Sequence, residues 1–277
     1  MLLTLHGVIL NGRAGWPEMA KLAHEAGFSG VEIPVGPALK EGAKKTREVL
    51  SANGVKPGVT SFPVEIRKDD ATFERDLAQL GEAAELARAI GCPRMATWIP
   101  SSAEIPKTEQ RLLMLGRLRK VCGILARHGV RLGLEFLGPL HIRKRYAHEF
   151  IWKMPEMLEF ARECGPNCGL LLDSWHWHHA GASGEDIVKA GKEAIVHVHL
   201  ADAPDLEPEK ILDNERLLPG EGVVKWKEFF QALKQIGYRD AVSPEVFGRG
   251  LKDMPLGEAT RITREAAMKV MKQNGAA

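Results

Sequence analysis

Short runs rich in apolar and β-branched residues alternate along the chain with longer stretches in which apolar residues recur every three or four positions. The short runs are typical of buried strands, and the long stretches are typical of amphipathic helices. Eight short runs fit this pattern: Leu2–Leu5, Gly30–Pro34, Pro57–Ser61, Arg94–Ile99, Arg131–Phe136, Gly169–Asp173, Ile195–Leu200 and Ala241–Val246. The alternation therefore predicts eight consecutive strand–helix units.

The predicted helices include Trp16–Ala26, Thr72–Ile90, Glu109–His128 and Lys225–Ile236. Eight strand–helix units with no Pro- or Ser-rich linker between them indicate an α/β protein with a (β/α)8 TIM barrel. We expect one domain over residues 1–277, because such a barrel needs about 250 residues. A doubly wound open sheet is the alternative, and the lack of a Gly-rich phosphate loop after the first run argues against it.

Side chains of metal-binding types stand at the ends of the last four predicted strands, namely Glu135, Asp173, His199 and Glu245. Side chains alternate between the two faces of a strand, so Glu135 lies on the face opposite to its leucine neighbours. The same alternation turns His199 and Glu245 towards the interior of the barrel. Because the C-terminal strand ends form the active-site face of a TIM barrel, we expect the four side chains to converge at one mouth.

A divalent metal ion suits this set of side chains. Three carboxylates and one imidazole favour a hard or borderline cation, with Mn²⁺ as the first candidate and Mg²⁺, Co²⁺ or Zn²⁺ as alternatives. Taken singly, each acid has the alternative of capping a helix or pairing with a base, and a lone strand histidine is more often a satisfied core residue. Four such residues on successive strands at matched depth favour one metal site. His197 lies one layer deeper and is interpreted as a residue that orients a neighbour by hydrogen bonding.

Composition and charge narrow the classes of partner. The 277 residues carry 38 basic and 36 acidic side chains, a net charge of +2, which provides no broad field for nucleic acid or an anionic membrane. The sequence contains no run of about 18 apolar residues, so we expect no membrane span. The N-terminus lacks the basic region of a signal peptide. The four cysteines are interpreted as free thiols, so a reducing cytoplasm is the expected compartment. Composition and charge are compatible with a monomer and with a homo-oligomer.

Several strings resemble the sugar phosphate isomerase/epimerase family, whose members are TIM barrels related to xylose isomerase. They are Leu134-Glu135-Phe136, Asp173-Ser-Trp-His176, His197-Val-His199-Leu-Ala-Asp202 and Leu218-Pro219-Gly220-Glu221-Gly222, with Glu245 on the last strand. The resemblance covers nearly the whole chain. The family includes ketose 3-epimerases, hydroxypyruvate isomerases and inosose isomerases, and no string here selects one substrate among them.

The resemblance implies roles for individual residues. Glu135, Asp173, His199 and Glu245 match the family's metal ligands, and Glu135 and Glu245 match the two glutamates that transfer the proton in ketose epimerases. His176 matches a histidine that contacts substrate oxygen. Arg216 matches the arginine before the Pro-Gly turn, although the preceding loop is longer here and an exposed loop position is the alternative. The implied function is a metal-dependent isomerase or epimerase that acts on a small carbohydrate through an enediolate.

Three other classes of protein share parts of this pattern of strands and metal-binding residue types. A lyase of the same fold, such as an inosose or dehydroshikimate dehydratase or a C-glycoside-cleaving subunit, would use the same residues. An endonuclease IV-like DNA repair enzyme needs extra histidines from earlier strands, where Ser61 and Thr97–Trp98 stand here, and the low net charge argues against DNA. A non-catalytic partner is disfavoured, because inward acids without a metal would repel one another.

Aromatic and basic residues near the predicted mouth have two interpretations each. Trp98, Trp152, Trp175 and Trp177 either form walls of a sugar pocket or pack within loops. The loop after the fifth strand carries His141, Arg143, Lys144 and Arg145, which either bind a substrate phosphate or carboxylate or are solvated. His178 and His179 are expected at the surface.

Overall fold

The computed structural model describes residues 1–277 and contains a closed barrel of eight parallel strands surrounded by helices. The strands follow one another around the barrel in chain order, and the first pairs with the last through Leu2 and Ala241. The barrel strands are Leu2–Leu5, Gly30–Ile33, Lys56–Ser61, Arg94–Trp98, Arg131–Glu135, Cys168–Asp173, Ile195–Leu200 and Ala241–Pro244. The predicted (β/α)8 TIM barrel is confirmed, and strand ends differ from the prediction by one or two residues.

The helices are Trp16–Ala26, Val35–Ala52, Asp70–Ala89, Lys107–Arg127, Leu140–Arg143, Met154–Cys164, Ser174–His179, Gly184–Ala190, Trp226–Gln235 and Leu256–Gln273. Short 3-10 turns span Gly7–Leu10, Lys192–Ala194, Pro208–Lys210, Asp213–Glu215 and Leu251–Asp253. A side-chain hydrogen bond sets the start of the helix Asp70–Ala89. The side chain of Asp69 accepts the Thr72 N–H at 2.9 Å and caps its helix, a bond of a kind that contributes about 1 kcal/mol. None of the helices combines the length and apolar character needed to cross a lipid bilayer.

The apolar core lies between the strands and the surrounding helices, where outward residues such as Leu3, Leu5 and Val31 are fully covered. The inside of the barrel is different, because polar side chains occupy part of it. Thr4 and Ser243 are buried there, with their hydroxyl oxygens 2.5 Å apart. A Cβ at Gly58 would lie 2.9 Å from the Thr4 hydroxyl, so only glycine leaves room for this side chain. The barrel interior is therefore built to hold polar groups.

Two features organise the mouth of the barrel. A two-residue strand, Ser102–Ala103, pairs antiparallel with His148–Glu149 and ties the loop after the fourth barrel strand to the loop after the fifth. The long loop after the seventh strand is held by Asp202, whose side chain accepts N–H groups from Gly220, Val224 and the Trp226 indole. These bonds fix the path of the loop that carries Arg216.

Candidate active site

Four strands bring the side chains of Glu135, Asp173, His199 and Glu245 together at the C-terminal mouth, where their ligand atoms all lie within 4.8 Å of one another. Glu135 and Asp173 are the last residues of their strands, and Glu245 follows Pro244, the last residue of the eighth strand. Nδ1 of His199 lies 3.4 Å from Oε2 of Glu245 and 3.7 Å from Oε1 of Glu135. The convergence expected from side-chain alternation is present in the structure.

Two atoms of this cluster are buried without a hydrogen-bond partner, Oε1 of Glu135 and Nδ1 of His199. Buried polar groups in folded proteins usually have a hydrogen-bond partner, and these two atoms, 3.7 Å apart, are free to bind one and the same group. Both atoms are electron-pair donors when the carboxyl is ionised and the imidazole is neutral. The donor set therefore fits a divalent cation held by oxygen and nitrogen.

Burial and mutual repulsion shift the acids of this cluster. Burial raises the pKa of Glu135 to about 8, against the effect of His199 and with help from the negative charges of Glu245 and Asp173. Burial also raises the pKa of Asp173 to about 6, although the charge of Arg216 opposes it. Burial would raise the pKa of Glu245 as well, but the charges of His199 and Arg216 hold it well below its ordinary value. The site thus concentrates negative charge that needs positive partners.

Arg216 supplies one of these partners from the loop after the seventh strand. Its Nη1 donates to Oδ2 of Asp173 at 2.7 Å and to Oε2 of Glu245 at 2.8 Å, and its Nη2 donates to Oδ1 of Asp213 at 2.9 Å. The side chain is 2% exposed, so the alternative of an exposed loop arginine is wrong. The hydrogen bonds that Asp202 makes within the same loop fix the position of Arg216.

His176 lies beside this guanidinium and is fully buried. Its Nε2 is 3.1 Å from Nη2 of Arg216, and the N–H of Gly138 donates to its Nδ1 at 3.3 Å. Burial, followed by the charge of Arg216, holds the pKa of His176 well below its ordinary value, so the ring is neutral at pH 7. A neutral imidazole has one lone pair, so His176 accepts from only one of these two donors and its other ring nitrogen carries a proton.

Three residues outside the four-residue cluster, Glu32, His197 and His6, lie beside it. Oε1 of Glu32 lies 3.0 Å from Nε2 of His197 and 3.1 Å from Nε2 of His199, and its Oε2 lies 3.3 Å from Nε2 of His6. The hydrogen bond expected of His197 is therefore present. His6 and Glu32 were not predicted as site residues, although the alternation that placed the four ligand types also predicts them to point inward. At the early strand ends only Ser61 and Thr97–Trp98 had been considered.

The aromatic and basic residues of the mouth divide into packed and exposed groups. Trp175 and Trp177 are buried, and the Trp177 indole N–H donates to the Ser183 carbonyl at 3.1 Å. Trp98 is 42% exposed, with the guanidinium of Arg67 4.0 Å from its ring centre.

In the basic loop Arg143 is half-buried, with its guanidinium 3.9 Å from the ring centre of Trp152, whereas Lys144 and Arg145 are exposed. His178 and His179 are half-buried rather than at the surface, because they lie on the helix Ser174–His179 at the mouth, where the His179 ring packs on Trp175.

Relatives of the chain include enzymes with several activities. An inosose isomerase of Halalkalibacterium halodurans is 24% identical over 256 residues, which cover 90% of this chain and 88% of that protein. A D-psicose 3-epimerase of Enterocloster bolteae is 25% identical over 215 residues, covering 76% of this chain and 65% of that protein. A 3-dehydroshikimate dehydratase of Pseudomonas putida is 24% identical over 249 residues, covering 86% of this chain and 37% of that protein. These relatives indicate an enzyme of the sugar isomerase/epimerase type.

Solved structures share the whole fold. A xylose isomerase domain protein from Alicyclobacillus acidocaldarius has a TM-score of 0.90 and 27% identity, over 99% of both chains. The IolI protein with a bound zinc atom has a TM-score of 0.83 and 21% identity, also over 99% of both chains. A model of the xylose isomerase-like TIM barrel family matches residues 20–273. The resemblance inferred from the sequence strings is confirmed, and the chain belongs to the xylose isomerase-like TIM barrel family.

Proposed function

We propose that this chain is a divalent-metal-dependent isomerase or epimerase that moves a proton on a small keto-sugar, sugar phosphate or inosose. The observation that carries the proposal is the group Glu135, Asp173, His199 and Glu245, whose donor atoms lie within 4.8 Å and include two buried atoms without a partner. The inosose isomerase and psicose epimerase relatives support a carbohydrate substrate.

The metal site would consist of these four side chains, with Mn²⁺ as the first candidate and Mg²⁺, Co²⁺ or Zn²⁺ as alternatives. Oxygen-rich donor sets suit hard cations, and the imidazole extends the choice to borderline ones. When bound, the cation would act as a Lewis acid that draws charge from the substrate carbonyl and makes the neighbouring C–H more acidic. The four side chains would hold the cation, and oxygens of the substrate would complete its coordination.

Glu135 and Glu245 would transfer the proton. Glu135 ends the fifth strand and Glu245 directly follows the eighth, with the sixth and seventh strands between them, so their carboxylates would approach a bound substrate from opposite sides. One carboxylate takes the proton from carbon, and the other returns one to the opposite face, which inverts that carbon. Return of the proton to the adjacent carbon gives aldose–ketose isomerisation instead.

Arg216 and His176 would bind and orient the substrate. Both side chains are buried beside the carboxylates and lie 3.1 Å apart, Nη2 to Nε2. A guanidinium donates in a fixed planar fork and so holds an oxygen in one direction, whereas the neutral imidazole can donate or accept. Their burial also keeps bulk water away from the reacting carbon.

A lyase is the second candidate, and the 3-dehydroshikimate dehydratase relative favours it. The same carboxylate that removes a proton next to a carbonyl leads to dehydration when the β-carbon carries a hydroxyl that can leave. The choice between the two candidates depends on the substrate rather than on the metal set.

The two candidates are separated by product analysis. Mn²⁺-loaded protein is incubated with a panel of ketoses, ketose phosphates, inososes and 3-dehydroshikimate, and products are identified by NMR. We expect an isomer or epimer of equal mass from at least one carbohydrate, and none after chelation of the metal. Loss of water from a substrate, with no isomer from any compound, would replace the proposal with the lyase.

A further inference from the structure

Three histidines surround the carboxylate of Glu32 inside the barrel. Oε1 lies 3.0 Å from Nε2 of His197 and 3.1 Å from Nε2 of His199, and Oε2 lies 3.3 Å from Nε2 of His6. His197 and His199 lie on the seventh strand, His6 directly follows the first strand, and Glu32 lies on the second. In each case the atom that faces the carboxylate is Nε2.

The proton positions on two of these rings follow from their partners. Nδ1 of His6 accepts the N–H of Val8 at 3.0 Å, so this nitrogen carries a lone pair and the proton is on Nε2. An ionised carboxylate can only accept, so Nε2 of His199, 3.1 Å from Glu32, is also a donor. In a neutral His199 ring the lone pair is therefore on Nδ1.

Nδ1 of His199 is the atom that faces the proposed metal site. It is buried without a hydrogen-bond partner and lies 3.4 Å from Oε2 of Glu245 and 3.7 Å from Oε1 of Glu135. If the tautomer were reversed, a proton would stand where a metal ligand needs a lone pair. The side of the ring that Glu32 binds thus decides whether His199 can act as a ligand.

We propose that Glu32 is a positioning residue for the metal centre, which holds the Nε2–H of His199 so that Nδ1 faces the ligands Glu135 and Glu245. The inference rests on the metal site of the proposed function. Glu32 lies outside the four-residue ligand group. A carboxylate that accepts the second N–H of a ligand histidine fixes the tautomer and ring orientation and makes the ligand nitrogen more basic.

Neighbouring groups hold Glu32 in place. His197 is fully buried, and its Nε2 lies 3.0 Å from the hydroxyl of Ser243, which in turn lies 2.5 Å from the hydroxyl of Thr4. His197 therefore connects Glu32 to the polar layer of the barrel interior. This support limits the positions that the carboxylate can take and so keeps its oxygen directed at His199.

Metal affinity tests the proposal without any substrate. Zn²⁺ binding is measured by competition with a chromophoric chelator for the wild-type chain, Glu32→Gln, Glu32→Asp and the control Glu25→Gln, which changes an exposed helix residue. We expect Glu32→Gln and Glu32→Asp to bind Zn²⁺ about 10- to 100-fold more weakly, and the control to bind as the wild type does. Unchanged affinity in both Glu32→Gln, whose neutral amide oxygen accepts the N–H less strongly, and Glu32→Asp, whose carboxylate is too short to hold the ring, would overturn the proposal.

A second measurement reads the tautomer directly. ¹⁵N NMR of histidine-labelled, Zn²⁺-loaded wild type, with the His199 signals assigned through His199→Gln, should show the proton on Nε2 and the metal on Nδ1. Metal on Nε2 would overturn the proposal even if the Glu32 variants did not fold. Two Zn²⁺ ions per chain, falling to one in Glu32→Gln, would also overturn it, because Glu32, His197 and His199 would then form a second metal site. Absence of activity on every carbohydrate would refute the proposed function while leaving both measurements valid.

Discussion

Nη1 of Arg216 lies 2.7 Å from Oδ2 of Asp173, and both side chains are buried beneath the mouth of the barrel. The guanidinium thus compensates a carboxylate that stands among other acids. Because burial of a charge is costly unless it is paired, the two residues depend on each other.

Removal of this arginine should destabilise the protein strongly. We expect Arg216→Ala to lower the free energy of unfolding by about 3–5 kcal/mol, since it leaves buried carboxylates without their partner. Arg249→Ala is the matched control, because it breaks an arginine–carboxylate pair with Glu221 that is largely exposed and contributes about 0–1 kcal/mol. Urea denaturation in the presence of a chelator measures both. Equal losses in the two variants would contradict the role given to the buried pair.

Stability without metal should depend on pH through Glu135. Its pKa is raised by burial from 4.5 to about 8, so the folded chain binds a proton that the unfolded chain has released between these values. The protein held in chelator should therefore lose stability as the pH rises from about 4.5 through about 8. Glu135→Gln cannot release a proton and should lose less stability over this window. A steeper loss in Glu135→Gln than in the wild type would show that the sign is wrong.

Metal affinity should change in the opposite direction as the pH rises. A cation competes with the proton on Glu135 and on Asp173, whose pKa burial raises to about 6. Mn²⁺ affinity should therefore increase between about pH 6 and pH 8, because the ligands are then ionised. Isothermal titration at several pH values measures this increase. A Mn²⁺ affinity that did not change with pH would show that the cation binds groups other than Glu135 and Asp173.

Metal content should be about one divalent ion per chain after loading with Mn²⁺. The four donor side chains form one site, and substrate completes the coordination. Elemental analysis of the loaded and desalted protein gives the ratio. No tightly held metal would refute the metal dependence, and three ions per chain would revive the endonuclease IV-like alternative.

The fold was predictable because its signals are local. Eight apolar runs separated by helical periodicity gave the strand order, and each strand end lies within two residues of its prediction. The pairing of Ser102–Ala103 with His148–Glu149 was not predictable, because two-residue strands carry no periodic pattern and depend on a contact across two loops.

The candidate site was predictable in part for the same reason. Side-chain alternation placed Glu135, His199 and Glu245 inside the barrel, and the same rule would have placed His6 and Glu32 there. Those two were missed because only the last four strands carried a run of ligand types. The burial of Arg216 had the family resemblance as its one sequence signal, since it follows from hydrogen bonds made by Asp202 more than ten residues away.

Solvent deuterium incorporation tests proton transfer by Glu135 and Glu245. Mn²⁺-loaded wild type is incubated in D₂O with the carbohydrate that it converts, and NMR locates deuterium in the product. We expect deuterium at the carbon next to the carbonyl, because a proton held on a carboxylate exchanges with solvent before it returns. Glu135→Gln and Glu245→Gln should each lose turnover, with metal content measured alongside. If no keto-sugar were isomerised or carried deuterium, while a C–O bond in one of them were broken, proton shuttling by an isomerase would be contradicted.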